Sequence, residues 1–300
     1  MKVLVTGANG LLGQHLTAKL IEDKYNVVAI GRGPARLPFP ETEYRYYDVD
    51  IAAELAVHRV FSAESPEVVI HAAAMTQVDD CELNQELCER INVQGTSHVI
   101  INAEQFARKL IYVSTDFVFD GEKGDYAEED DMGPVNWYGF TKMQAESIVE
   151  TCDMPWAIVR TCLVYGTVLT GTRTNIINWV KENLKAGKPI KVVSDQVRTP
   201  TYIKDLVNGI MLILKQNGEG TFHIAGKDVL TPYDMAVKTA AFYRLDASLM
   251  TKVDASSFSQ PGRRPLKTGF NISKAKNQLG YDPISFDEAL VLMNEDLGGK

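Results

Sequence analysis

The chain has 300 residues, 45% hydrophobic and 23% charged, with a formal net charge of −8. That length suits two lobes or one large α/β unit, and the composition excludes a disordered, collagen-like or coiled-coil chain. The acidic balance offers no overall field for a nucleic-acid polymer, and no apolar run approaches the ~20 residues that a membrane span needs. The first residues, Met1 to Gly7, hold too short an apolar run before a turn for a secretory leader. Cys81, Cys88, Cys152 and Cys162 lack the close pairing of a zinc site and are too few for a disulfide framework. Free thiols in a reducing cytoplasm are the expectation.

In chain order, Lys2–Thr6 reads as a strand and Leu11–Glu22 as a helix, followed by strands at Asn26–Ile30 and Tyr44–Tyr47. A helix is expected over Ile51–Ala63, a buried strand over Glu67–His71 and one long helix from about Cys81 to Ala107. Leu110–Ser114 is the next strand, Trp137–Cys152 a helix and Ala157–Thr161 a strand. Strands alternating with helices imply parallel pairing with right-handed crossovers, hence an α/β fold with a doubly wound Rossmann sheet. Beyond a Thr/Gly-rich loop at Leu169–Thr174 the pattern loosens. It holds a helix at Asn175–Ala186, strands at Ile190–Val193 and Thr221–Ile224, a helix at Ile203–Lys215 and three short helical stretches, the last at Phe286–Leu297. Residues 1–165 are expected to form the cofactor domain, with part of 195–225 added to it. Residues 166–300 are expected mainly to form a smaller, interleaved substrate domain.

The first turn reads Thr6-Gly7-Ala8-Asn9-Gly10-Leu11-Leu12-Gly13. A tight turn needs Gly7, backbone approach to a pyrophosphate needs Gly10, and close helix–strand packing needs Gly13. The N–H groups at the start of the helix, at Leu11, Leu12 and Gly13, then face the phosphates together with the positive end of the helix dipole. After the second strand no acidic residue is present to grip a ribose 2′-hydroxyl. Arg32 stands there instead and is either a partner for the 2′-phosphate of NADPH or a solvent-facing side chain. NADPH is favoured, with NADH possible. Asp48-Val49 is placed to reach the adenine, and Asp48 is equally suited to a turn.

Tyr138 and Lys142, four apart at the start of a helix, share one face. A cation there lowers the phenol pKa and fits the pair for proton transfer. Ser114-Thr115-Asp116 brings a hydroxyl to the carboxyl edge of the sheet, where ligands of such folds bind. His71 reads as a satisfied core histidine, and Glu128-Glu129-Asp130-Asp131 as a solvated loop rather than a magnesium site. No metal site is expected, and no Gly-x-Ser-x-Gly elbow supports a hydrolase.

These pieces together with His71-Ala72-Ala73-Ala74, Asn92-Val93-Gln94-Gly95-Thr96, Asn271 to Ala275 and Leu279-Gly280-Tyr281 run in one order along nearly the whole chain. In that order they resemble the extended short-chain dehydrogenase/reductase family. The resemblance implies a catalytic triad of Thr115, Tyr138 and Lys142, with Ser114 as the second choice for the hydroxyl. It implies that Ala72, Ala73, Ala74 and Ser114 join the cofactor site and that Asn92 positions the active-site segment.

Ala72 to Asp79, Ser114 to Gly121, Arg160-Thr161 with Val164-Tyr165, and Asp195-Gln196 with Pro200-Thr201 are similar to the dTDP-4-dehydrorhamnose reductase branch in particular. That branch implies NADPH-dependent reduction of the sugar's 4-keto group and a nucleotide-sugar substrate touching Thr76, Val78, Thr115, Asp116, Phe117, Leu163, Arg198 and Arg264. A homodimer follows only by analogy. Cys162-Leu163 stands where that branch commonly has Ser-Trp, so the identity of the sugar stays open. An epimerase, a reductase of another sugar and a non-catalytic regulatory subunit like that of methionine adenosyltransferase are the rival expectations.

Overall fold

In the computed structural model, described over residues 1–171, 175–296 and 298, the first half follows the alternation read from the sequence. It runs β1 (Lys2–Thr6), α1 (Leu11–Glu22), β2 (Asn26–Gly31), β3 (Tyr44–Asp48), α2 (Glu54–Glu64), β4 (Val68–His71), α3 (Val78–Leu83), α4 (Gln85–Glu89) and α5 (Gly95–Phe106). Then come β5 (Leu110–Thr115), α6 (Trp137–Glu150), β6 (Trp156–Thr161) and β7 (Val164–Tyr165). The second half holds α7 (Ile176–Lys185), β8 (Ile190–Val193), β9 (Thr201–Tyr202), α8 (Ile203–Gln216), β10 (Gly220–His223), α9 (Pro232–Phe242), β11 (Met250–Val253), α10 (Ser273–Leu279) and α11 (Phe286–Asp296). Leu297 and residues 172–174, which belonged to an expected helix and loop, lie outside the described residues.

Seven strands form one parallel sheet in the order β10-β6-β5-β4-β1-β2-β3. Both faces are covered, which is why these strands are apolar runs rather than alternating ones. Val3, Val5, Val27, Ala29, Ile70 and Val159 pack toward α1, α8 and α10, whereas Leu4, Val28, Val69, Tyr112 and Ile158 pack toward α2, α5 and α6. Strand order reverses between β1 and β4, so a crevice opens at their carboxyl ends. The chain returns to this sheet late, because β10 pairs with β6 in parallel and α8 lies against α1. The rest of the second half builds small cores around β8 paired with β11, α7 and α9, and around α11 with β7 and β9.

Two expectations change. The single helix from Cys81 to Ala107 is three helical pieces: α3 and α4 are broken at Asn84, and α4 runs into α5 through a π-turn at Arg90–Gln94. An extra residue in a helical turn re-aims a side chain, and here that side chain is Asn92. The strand at Met250–Val253 has too little apolar signal to be seen without its partner, Ile190–Val193.

Candidate active site

The crevice widens into a cavity of about 1300 Å³ whose wall runs from Gly7 to Gly13 on one side to Arg264 on the other. Gly7 takes φ +72°, and a Cβ there would lie 2.8 Å from Ala73 N. A Cβ on Gly13 would sit 2.2 Å from Gly7 O, so α1 crosses the loop at a distance only glycine permits. Gly10 caps α1 with its backbone alone and brings no side-chain oxygen to the first turn. The N-terminus of the helix is thus left to meet an anion.

At the strand-order reversal a chain of hydrogen bonds fixes the floor. Thr96 Oγ1 donates to Asn92 O (2.7 Å) and accepts from His71 Nε2 (3.0 Å). His71 Nδ1 therefore accepts from Thr6 Oγ1 (2.6 Å), which in turn accepts from the Ala72 and Ala73 N–H groups (3.2 and 3.1 Å). Burial drives the His71 pKa down to about 3 with Lys142 adding to the effect, so the ring is neutral. It is the satisfied core histidine expected.

Asn9 lines the cavity, but its side chain organises the next loop. Its amide reaches Arg32 O (3.0 Å), Pro34 O (3.0 Å) and Tyr46 Oη (2.8 Å), and its oxygen accepts from Arg36 N–H (2.8 Å). Arg32, 68% exposed, and Arg36 both border the cavity. Val49 lines it as well. Asp48 does not: its carboxylate turns back to accept from Gly33 N–H (2.7 Å), and Asp50 takes its place in the wall, 4.0 Å from Arg32. Asp48 ends β3, and its side chain serves the loop after β2 rather than the cavity.

α6 is started by Asn136, whose oxygen accepts from Gly139 N–H (2.8 Å) while its amide donates to Arg263 O (2.7 Å). An Asn just before a helical pattern is a readable capping signal. The helix presents Tyr138 and Lys142 on its buried face. Burial pushes the phenol well above the ordinary tyrosine pKa, against the opposing effect of the nearby Thr115 hydroxyl. The lowered phenol pKa expected from the neighbouring cation does not appear: desolvation of the phenolate is the largest effect on Tyr138, and Asp116 adds to it. Burial pulls the Lys142 pKa down to about 7. Its ammonium donates to Val113 O (2.8 Å) and stands 4.1 Å from the centre of the Tyr112 ring.

The two hydroxyl candidates part here. Ser114 donates to Glu146, which is wholly buried and paired with Arg160 at 2.7 Å. Thr115 faces the phenol, accepts from Phe117 N–H (3.2 Å) and donates to Asp116 (3.1 Å). Asp116 is buried, and burial raises its pKa against the pull of Arg198, Thr268, Cys162 and Thr115. Asn92 lies behind this wall: its oxygen accepts from Met75 N–H (2.7 Å) and its amide donates to Met75 O (3.0 Å) and to Thr141 on α6 (3.1 Å). It ties the segment after β4 to the helix bearing Tyr138.

Ala72, Ala73, Ala74, Thr76, Val78, Asp116, Phe117, Leu163, Arg198 and Arg264 all border the same cavity. Leu163 is 40% exposed and held at φ +38°, an uncommon angle for a residue with a branched side chain. Arg198 is not a free cation. Its guanidinium donates to the carbonyls of Val197 (2.9 Å), Leu266 (3.0 Å) and Pro265 (2.6 Å) and lies 3.7 Å from Asp116. Arg264 forms a bidentate pair with Asp79 at 2.5 and 2.8 Å. The run at 128–131 is not uniformly solvated, since Glu128 is half-buried and accepts from His223 N–H (2.9 Å). Among the described residues no group of three or more His, Cys, Asp or Glu is arranged to hold a metal ion, and no helix is long and apolar enough to cross a membrane.

Sequence reading missed Gln14, an amide on the buried side of α1. Its oxygen accepts from the N–H groups of Leu169 (3.2 Å) and Thr170 (3.1 Å), and its amide donates to Thr170 O (3.1 Å) and Asn9 O (3.2 Å). Only tertiary contact reveals this strap between α1 and the loop at Leu169 and Thr170, beside the cavity.

A family model described as the RmlD substrate binding domain matches residues 1–298. The chain belongs to that family. The glycine loop and the Tyr138–Lys142 pair are the features that its resemblance to extended short-chain dehydrogenases/reductases implied. Among relatives of the family, a probable low-salt glycan biosynthesis reductase of Haloferax volcanii is 29% identical over 98% of this chain and 97% of its own. The methionine adenosyltransferase 2 subunit beta of Bos taurus is 29% identical over 85% of this chain and 76% of its own. Among solved structures, a dTDP-4-dehydrorhamnose reductase from Clostridium acetobutylicum superposes with TM-score 0.87 at 30% identity, covering 99% of this chain and all of that one. The Bacillus anthracis enzyme, in complex with NADP, gives 0.85 at 28%, covering 98% and 99%.

Proposed function

We propose that the chain is an NADPH-dependent oxidoreductase that reduces the 4-keto group of a nucleotide-linked 6-deoxy sugar, dTDP-4-dehydro-6-deoxy-L-mannose (dTDP-4-dehydrorhamnose), to give dTDP-L-rhamnose. The observation that carries the reading is the meeting of Thr115, Tyr138 and Lys142 in the wall of the cavity that the glycine loop also lines.

The chain's residues fit a dinucleotide. Gly7 and Gly13 leave room only for backbone, the bare N-terminus of α1 suits a pyrophosphate, and Arg32 and Arg36 flank the place of a 2′-phosphate with no acidic residue at the end of β2. NADPH is the favoured cofactor, and NADH is compatible with the same cradle. A bound nicotinamide supplies the hydride. Tyr138, kept protonated at neutral pH by burial, donates its proton to the oxygen of the 4-keto group as that oxygen becomes an alkoxide. Thr115 holds the same oxygen beside the phenol, and Lys142 supplies positive charge that eases proton loss from Tyr138. Thr76, Val78, Asp116, Phe117 and Leu163 shape the sugar side. Arg264 is the cation placed to exchange Asp79 for the substrate diphosphate.

Mixing the protein, NADPH and dTDP-4-dehydro-6-deoxy-L-mannose and following the absorbance of the reduced nicotinamide tests the reading. Steady oxidation is expected, with Tyr138→Phe losing about 10²–10⁴ of the rate while still binding NADPH. NADPH binding without turnover on this and related sugars sinks it. A non-catalytic role on this scaffold, favoured only by the likeness to the methionine adenosyltransferase subunit, then takes its place.

A further inference from the structure

Lys142 is enclosed, and among the described residues its one hydrogen bond is to Val113 O at 2.8 Å. An ammonium has three donors, so two of its N–H groups meet no protein oxygen among the described residues, where Lys142 borders the cavity. The Tyr112 ring lies beneath it at 4.1 Å, close enough for the face of the ring to attract the cation. Tyr112 is fully buried at the centre of the sheet, and its hydroxyl lies near Thr96 but outside hydrogen-bond geometry, the Thr96 proton going to Asn92 O. A buried phenol that makes no use of its hydroxyl leaves the ring as the useful part.

We propose that Tyr112 is a positioning residue whose aromatic face holds the Lys142 ammonium at the cavity wall and keeps it charged. The sequence gives no hint of this role, because Tyr112 reads as one more aromatic residue in a buried strand. The register of β5 against α6 puts its ring under the lysine rather than under the neighbouring Ala145 or Val149. The other groups bearing on the ammonium are Glu146 one turn along α6, Cys88 on α4 and His71 on β4. Glu146 is already neutralised by Arg160 and bonded to Ser114, and His71 is uncharged. The ring is therefore, with Val113 O and Cys88, one of the contacts on Lys142 that favour its charged form, and it covers the ammonium from below. The role in reduction rests on the proposed function; the hold on the ammonium does not.

The test is the titration of Lys142 by NMR in ligand-free protein labelled at the lysine side chains, with the signal assigned by its loss in Lys142→Met. Four proteins are compared: wild type, Tyr112→Phe, Tyr112→Leu, and pentafluorophenylalanine at position 112, which keeps the ring's shape but inverts its electrostatics. Tyr112→Phe is expected to leave the Lys142 pKa within about 0.3 of wild type, since the ring face remains. The pentafluoro protein and Tyr112→Leu are expected to lower it by about one unit, the size of a desolvated cation–ring attraction. The pentafluoro protein keeps the test decisive if Tyr112→Leu does not fold. NADPH affinity at pH 8 is expected to weaken roughly three- to tenfold in the pentafluoro protein and not in Tyr112→Phe. The same Lys142 pKa with a normal and a fluorinated ring overturns the proposal, as does a fall in Tyr112→Phe as large as in the fluorinated protein. Should wild type bind no NADPH, the functional reading fails and the titration still decides the role of Tyr112.

Discussion

Replacing Gly13 by alanine tests whether the phosphate loop is built for close approach. The added Cβ would lie 2.2 Å from Gly7 O, 2.6 Å from Ala8 Cα and 2.8 Å from Gly7 C, all backbone atoms that cannot swing aside. Ordinary contact begins near 3.4 Å, so the first turn of α1 must retreat by 3.4 − 2.2 = 1.2 Å or the loop must open by as much. Leu16 and Leu20, buried against the sheet, resist that retreat. Overpacking of this kind costs about 1–3 kcal/mol, against a gain of about 0.5–1 kcal/mol from placing alanine in a helix, so a modest net loss of stability is expected. The functional loss is larger: a displacement of about 1 Å at a site of this type costs on the order of 10²-fold. NADPH titration by fluorescence and thermal melting measure the two effects separately. Gly187→Ala is the control, because Gly187 has φ +64° but nothing within 4 Å of its added Cβ. It is expected to lose about 1–2 kcal/mol of stability and no NADPH affinity. An NADPH Kd for Gly13→Ala within about threefold of wild type would refute the reasoning.

Thr115→Val is expected to cost turnover far more than Ser114→Ala, since Thr115 faces the phenol while Ser114 serves the Glu146–Arg160 pair; equal losses in single-turnover rates would contradict this. Gln14→Ala should speed NADPH release several-fold in stopped-flow displacement, because four hydrogen bonds of the strap go with the amide. His71 and His223 are both held neutral with pKa values near 3, and an unfolded histidine titrates at 6.5. Their folded values lie below the unfolded one, so the stability they contribute is complete above pH 6.5 and is lost as pH falls toward 3. The slope is about 1.4 kcal/mol per pH unit for each histidine. Urea melts between pH 6.5 and 4.5 should show it, and His223→Phe should reduce it.

The cofactor half was legible because its signals are local. Gly7, Gly10 and Gly13 occupy backbone positions whose demands are met within eight residues, and buried parallel strands announce themselves as apolar runs. The Tyr138–Lys142 spacing places both groups on one helix face whatever surrounds the helix. Charge states and partners are set by neighbours far along the chain, and there reading by residue type went astray. Arg198, expected to touch the nucleotide-sugar, is held by the carbonyls of Leu266 and Pro265 and lies beside the carboxylate of Asp116. Asp48 turned to Gly33, and the phenol of Tyr138 rose rather than fell because burial, the largest effect on it, disfavours the phenolate.

The sequence by itself determined the alternation of strands and helices in the first half and put forward the glycine turn and the Tyr138–Lys142 pair as candidates, since each depends on spacing along the backbone. Only the tertiary structure decided which hydroxyl lies beside the phenol, that Gln14 ties α1 to the loop at Leu169 and Thr170, and that an aromatic ring underlies the lysine. Those outcomes depend on which side chains meet across the sheet and on how much water is excluded when they do.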